Sequence, residues 1–103
     1  MPTQLPLTKR LRKALRHLRR NHPPRSEVRV RVVQELDGLH GLAEISDGRC
    51  LITLVSDQDS VMIDTLVEEW SHCLRHEVPV EVEDEHDGLF WQIYGQITMR
   101  WRG

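Results

Sequence analysis

The residues whose types and spacing could do chemistry sit in one stretch, Thr65-Leu66-Val67-Glu68-Glu69-Trp70-Ser71-His72-Cys73-Leu74. On an α-helix, residues four apart share a face. Glu68 and His72 can therefore point at one metal ion. Glu69, one position around, is within reach of a water held by that ion. Two ligands at i and i+4, with a glutamate base between them, give the mechanics of the H-E-x-x-H helix. Here the first ligand position is Glu68 rather than histidine. On spacing alone, the pair Glu68/His72 reads as the solvated face of an amphipathic helix before it reads as a metal site.

The surrounding sequence must supply the elements that hold this stretch. Val61, Met62, Leu66, Val67, Trp70, Cys73 and Leu74 give a helix over 58–76 its apolar face. Ser56-Asp57-Gln58-Asp59 reads as its capping-box start. Upstream, Leu7, Leu11, Ala14, Leu15 and Leu18 form one stripe of a helix over 7–20, with Thr8 as its cap and Arg, Lys and His on the other face. Asn21-His22-Pro23-Pro24 ends it, because proline cannot continue a helix. Residues 27–33 alternate valine with charge, the period of a half-buried strand. Strands over 39–45 and 49–55 follow. Asp37-Gly38 marks a turn, and Asp47-Gly48 a tight hairpin. The expected sheet has three strands and is antiparallel at that hairpin. After an acidic connection over 77–87, Asp87 caps a last helix over 88–101. Phe90, Ile93, Tyr94, Ile97 and Trp101 lie at helical spacing along it. Trp70, Trp91, Tyr94 and Trp101 are expected mostly in the core.

The sheet-then-helix order carries a resemblance. Leu-Val-Glu-Glu-Trp-Ser-His-Cys-Leu at 66–74 and His86-Asp87-Gly88-Leu89-Phe90-Trp91-Gln92-Ile93-Tyr94 resemble the small zincin-type metallopeptidases of the SprT-like group, above all compact phage-encoded versions. Those read roughly L-[LIV]-H-E-W-A-H-A-L, then H-G-x-x-W-x-x-x-Y after an acidic loop. The likeness covers most of the chain. By that resemblance, His72 matches the second histidine ligand, Glu69 the catalytic glutamate and His86 the third ligand. Glu68 stands where the family has its first histidine. The resemblance implies an α+β, minimal zincin-like domain: N-terminal helix, three-stranded sheet, active-site helix and C-terminal helix. It also implies hydrolysis of peptide bonds in a peptide or protein substrate, with one Zn2+ held by Glu68, His72 and His86 and with Glu69 as general base. Two histidines and one glutamate form a competent zinc set. The extra carboxylate makes other divalent metals, such as manganese or iron, more competitive.

Length and composition bound the alternatives. The 103 residues suit a single domain over 1–103, with 39% apolar and 29% charged residues. No apolar run is long enough for a membrane span, which needs about 18 residues. With no secretory h-region and only two cysteines, the expected location is cytoplasmic, in a bacterial host if the chain is phage-encoded. Cys50 and Cys73 read as buried small hydrophobes. Asp64 and His76 extend the Glu68/His72 row as ordinary surface residues, and His40 reads as a strand-edge histidine. Residues 1–31 hold ten Lys/Arg and one acid, a net +9, and the remainder carries −11. The basic helix 7–20 could contact nucleic acid or an acidic protein by charge neutralisation. This keeps open a second function, a non-catalytic binding module on the same scaffold.

Overall fold

The computed structural model describes residues 3–81 and 84–101. In chain order the elements are β1 (Gln4–Leu5), α1 (Lys9–Asn21), β2 (Glu27–Val33), β3 (Gly41–Ser46), β4 (Arg49–Val55), α2 (Asp59–His76) and α3 (Gly88–Trp101). They make an α+β fold with three helices and a four-stranded mixed sheet of order β1-β2-β4-β3.

Local chemistry explains most boundaries. The Thr8 side chain accepts a hydrogen bond from the Leu11 N–H and starts α1. The same hydroxyl donates to Asp59 at the start of α2, tying two helix N-termini together. Asp47 and Gly48 have φ of 45° and 75°, so the β3–β4 hairpin turns through two left-handed residues. That twist matches the strands, and an Asp-Gly pair tolerates it. At the start of α2 the expected capping box does not form. Gln58 occupies the cap position without a side-chain hydrogen bond, and Asp57 bonds the Gln58 N–H instead.

The sheet departs from expectation in two ways. A short β1 pairs antiparallel with the end of β2, so there are four strands, not three. In addition, β4 lies between β2 and β3, parallel to the first and antiparallel to the second. The hairpin is therefore antiparallel as its turn demands, while the central pair is parallel.

One face of the sheet is the core. Val28, Val32, Cys50, Ile52 and Leu54 point to the same side and meet Leu11, Ala14, Leu15 and Leu18 of α1. Met62, Leu66, Val67, Trp70 and Cys73 of α2 and Ile97 of α3 complete it. Burying a side chain of this size stabilises by about 1.5–3 kcal/mol. Trp70 is fully buried and its indole N–H donates to the His22 carbonyl, which fixes α2 against the end of α1. The Sγ atoms of Cys50 and Cys73 are bonded, so these cysteines are not separate hydrophobes; a disulfide joins β4 to α2. Trp91 also differs from expectation: it is 55% exposed. Tyr94 is half-buried, and the side chain of Trp101 lies outside the described residues. Among the described residues, no helix is long and apolar enough to cross a membrane.

Gly41 sets the distance between β3 and α2. A Cβ built there would stand 2.5 Å from Thr65 Cγ2 and 3.2 Å from the Thr53 carbonyl oxygen. Only hydrogen fits, so the strand comes close to the helix at the base of the cleft described next.

Candidate metal centre

The cleft lies between the edge strand β3 and one face of α2 and has a volume of about 660 Å³. Leu39, Gly41, Leu42, Ala43 and Ile45 line one side; Glu68, Glu69, His72 and His76 line the other, with Glu85 and His86 at its mouth. Along its length β3 pairs only with β4 among the described residues, which leaves its other backbone edge toward the cleft unpaired.

Each acidic or imidazole group has a clear origin in the fold. Positions 62, 66, 69 and 73 form one row of α2, spaced four, three and four apart. Met62, Leu66 and Cys73 fill the row with buried apolar groups, and Glu69 fills it with a carboxyl only 9% exposed. Glu68 and His72 lie one position around, exposed and half-buried respectively. His86 arrives from the far end of the 77–87 connection, just before α3.

Glu68, His72 and His86 each offer a donor atom, and the three lie within 4.8 Å of one another. His86 Nε2 stands 3.3 Å from Glu68 Oε1. Donors on a tetrahedral zinc of usual bond lengths, about 2.0–2.2 Å, lie closer than 4.8 Å, so small side-chain rotations would close the set. The donor chemistry, two imidazoles and one carboxylate, fits such an ion. Burial, then the neighbouring His86, holds His72 below the usual imidazole value and favours the neutral, lone-pair-bearing form. Burial, reinforced by Glu68 and Glu85, pushes the Glu69 carboxyl up to about 7. A carboxyl so placed exchanges its proton near neutrality, as a general base must.

An aromatic wall backs the imidazoles. Phe90, fully buried, stacks on His72 at 4.5 Å between ring centroids and lies 4.7 Å from His86. Trp91 lies 5.7 Å from His86 and meets Phe90 edge-on at 5.2 Å, so both rings flank the same side of that imidazole. In sequence Phe90 was legible only as a core residue of the last helix.

Arg75 escaped the sequence reading, as did its pairing with Asp87. Arg75 is 1% exposed. Its Nε donates to Asp87 Oδ1 at 2.9 Å and its Nη2 to Asp87 Oδ2 at 2.6 Å. The guanidinium also donates to the carbonyls of Val80 and Glu81. Asp87 does double duty, because Oδ1 also accepts from the Phe90 N–H and caps α3, as its position had suggested. The Arg75 guanidinium, first by its hydrogen bonds, holds the Asp87 carboxyl down to about 2. No spacing signal marked Arg75: two residues past Cys73 it lies about 200° around α2, away from the apolar stripe.

The remaining candidates take ordinary places. Asp64 and His76 are exposed on α2, His76 at the rim of the cleft. His40 is exposed in the turn before β3 and does not line the cleft. No protein-family model, no curated protein and no solved structure matches the chain.

Proposed function

We propose that the chain is a metal-dependent peptidase of minimal zincin type, similar to the SprT-like group. The observation that carries this reading is the convergence of Glu68, His72 and His86 from α2 and the start of α3, their donor atoms within 4.8 Å, beside the buried carboxyl of Glu69. Those three residues would hold one divalent cation, zinc in the first instance. A cation held there would supply Lewis acidity toward a carbonyl and would lower the pKa of a water. Glu69 takes the water's proton and returns it to the leaving amine. The open edge of β3 offers backbone hydrogen bonds to an extended peptide, and its apolar side chains offer contacts alongside.

The test is elemental analysis followed by assay. About one zinc per chain is expected, lost in His72→Ala. Glu69→Gln should keep the metal and lose peptide hydrolysis by about 10²–10⁴-fold. Protein that stays metal-free after incubation with zinc would sink the reading.

A second reading has its own observation. Lys9, Arg10, Arg12, Lys13, Arg16, Arg19 and Arg20 of α1 are all exposed, and none forms a salt bridge with a described residue. This face suits a polyanion such as nucleic acid, with or without catalysis at the cleft.

A further inference from the structure

We propose that Arg75 is a positioning residue that, through Asp87, delivers His86 to Glu68 and His72. The inference rests on the metal reading for its functional meaning, but its physical content stands apart from any ion.

His86 is the one member of the donor set that α2 does not carry. It ends a connection with no regular structure among its described residues, and among those residues its backbone bonds only through its N–H, to Asp84. An exposed residue on such a segment has many accessible positions, and ordering it carries an entropic cost. Arg75 supplies the restraint. It lies three residues beyond His72, one turn along the same helix, with its side chain fixed by burial. Five hydrogen bonds from one guanidinium grip the connection at two points. The carbonyls of Val80 and Glu81 mark the beginning of the excursion, and the Asp87 carboxylate marks its end. A planar guanidinium meeting a carboxylate with two parallel bonds fixes orientation as well as distance. Asp87 is the next residue after His86 and also caps α3, so the grip sets where α3 begins. The helix then places Phe90 against both imidazoles. The geometry of the donor set is in this way referred back to the helix that carries Glu68 and His72.

The experiment uses Arg75→Met/Asp87→Asn in the full chain. This pair removes both buried charges together, so neither is left uncompensated, and asparagine remains a good helix cap. The first readout needs no metal. Ring currents from Phe90 and Trp91 should shift the His86 ring protons of the native protein in NMR spectra. In the double variant the His86 shifts should collapse toward free-histidine values, while those of His72, whose ring α2 holds in place, should move less as Phe90 shifts. The second readout is Zn2+ affinity. The double variant should bind about 10–100-fold more weakly, as expected when a group that orients a ligand is removed. Added to His86→Ala, it should cause no further loss, because it acts through that residue. Arg75→Lys keeps the charge but cannot hold both carboxylate oxygens, and provides a milder variant if the double one does not fold; it should shift His86 part of the way. Unchanged His86 shifts in a folded variant, or affinity losses that add to those of His86→Ala, overturn the proposal. Native protein that binds no zinc yet shows the His86 collapse would defeat the metal reading and leave the positioning role standing.

Discussion

Glu69 occupies a position where a leucine would serve the fold better. Its neighbours in the row, Met62, Leu66 and Cys73, are at most 3% exposed. A carboxylate there loses hydration and faces the negative charges of Glu68 and Glu85, which is why its pKa rises to about 7. The consequence for stability has a definite sign. A carboxyl whose folded pKa lies above its unfolded value favours the protonated fold. In metal-free protein its contribution is fully present below about pH 4.5 and is lost as pH rises through about 7. The expected loss is on the order of 2–3 kcal/mol. Urea melts in chelator from pH 4 to 8, on native protein and Glu69→Gln, measure it. His72 is shifted the other way and costs stability at low pH, so the difference between the two proteins isolates Glu69. The gap should widen in favour of Glu69→Gln toward pH 8, and saturating zinc should close it. Parallel stability profiles would show that the carboxyl is not held as the geometry indicates.

At the scale of elements, the approach of β3 to α2 depends on Gly41. A methyl there meets Thr65 Cγ2 at 2.5 Å and a β4 carbonyl at 3.2 Å. Gly41→Ala should therefore destabilise by about 1–3 kcal/mol, the usual range for overpacking. Thr65→Ser removes the nearer atom and keeps the hydroxyl that donates to Val61. The double variant should recover most of the stability in thermal melts, and strictly additive effects would contradict the clash. This packing also shows which parts of the fold were readable. The limits of β2, β4 and the last helix followed from periodicity and caps, because those signals are local: alternating valines, Asp-Gly turns, an aspartate before an apolar run. Strand order was not readable, since alternation reveals which face a residue takes but not which strand lies beside it. A two-residue β1 leaves no period at all. Of the site, Glu68, Glu69 and His72 were legible from one helix. The restraint on His86 was not, because Arg75 and Asp87 are twelve residues apart and meet only when the connection folds back.

Over the whole molecule, the split between a +9 N-terminal third and a −11 remainder becomes a division of surface. The acidic part includes Glu68, Glu69 and Glu85 at the cleft, where negative potential favours a cation. The basic part is concentrated on α1, whose neighbours four apart, Lys9 and Lys13, Arg12 and Arg16, Arg16 and Arg20, repel one another. The helix is kept by its other face: Leu11, Ala14, Leu15 and Leu18 are buried against the sheet and α2. That burial argues against a lipid surface as the partner, since an interfacial helix must insert its apolar face. A rigid row of cations with no apolar face to spare fits a phosphate backbone better. Arg19 is partly engaged, donating to the Val28 carbonyl at 3.1 Å on the β2 edge. The residues to neutralise are therefore Arg12, Arg16 and Arg20, which hold no described partner. Duplex DNA should bind the native chain with an affinity that falls as salt rises. In the triple glutamine variant the log–log slope should be shallower by about 2–3, roughly one for each phosphate that no longer meets a cation. Binding with the same slope in both proteins would remove α1 as the contact surface. Zinc content and cleft geometry should be untouched by these changes, so loss of DNA binding with retained peptide hydrolysis would assign the two surfaces separate roles.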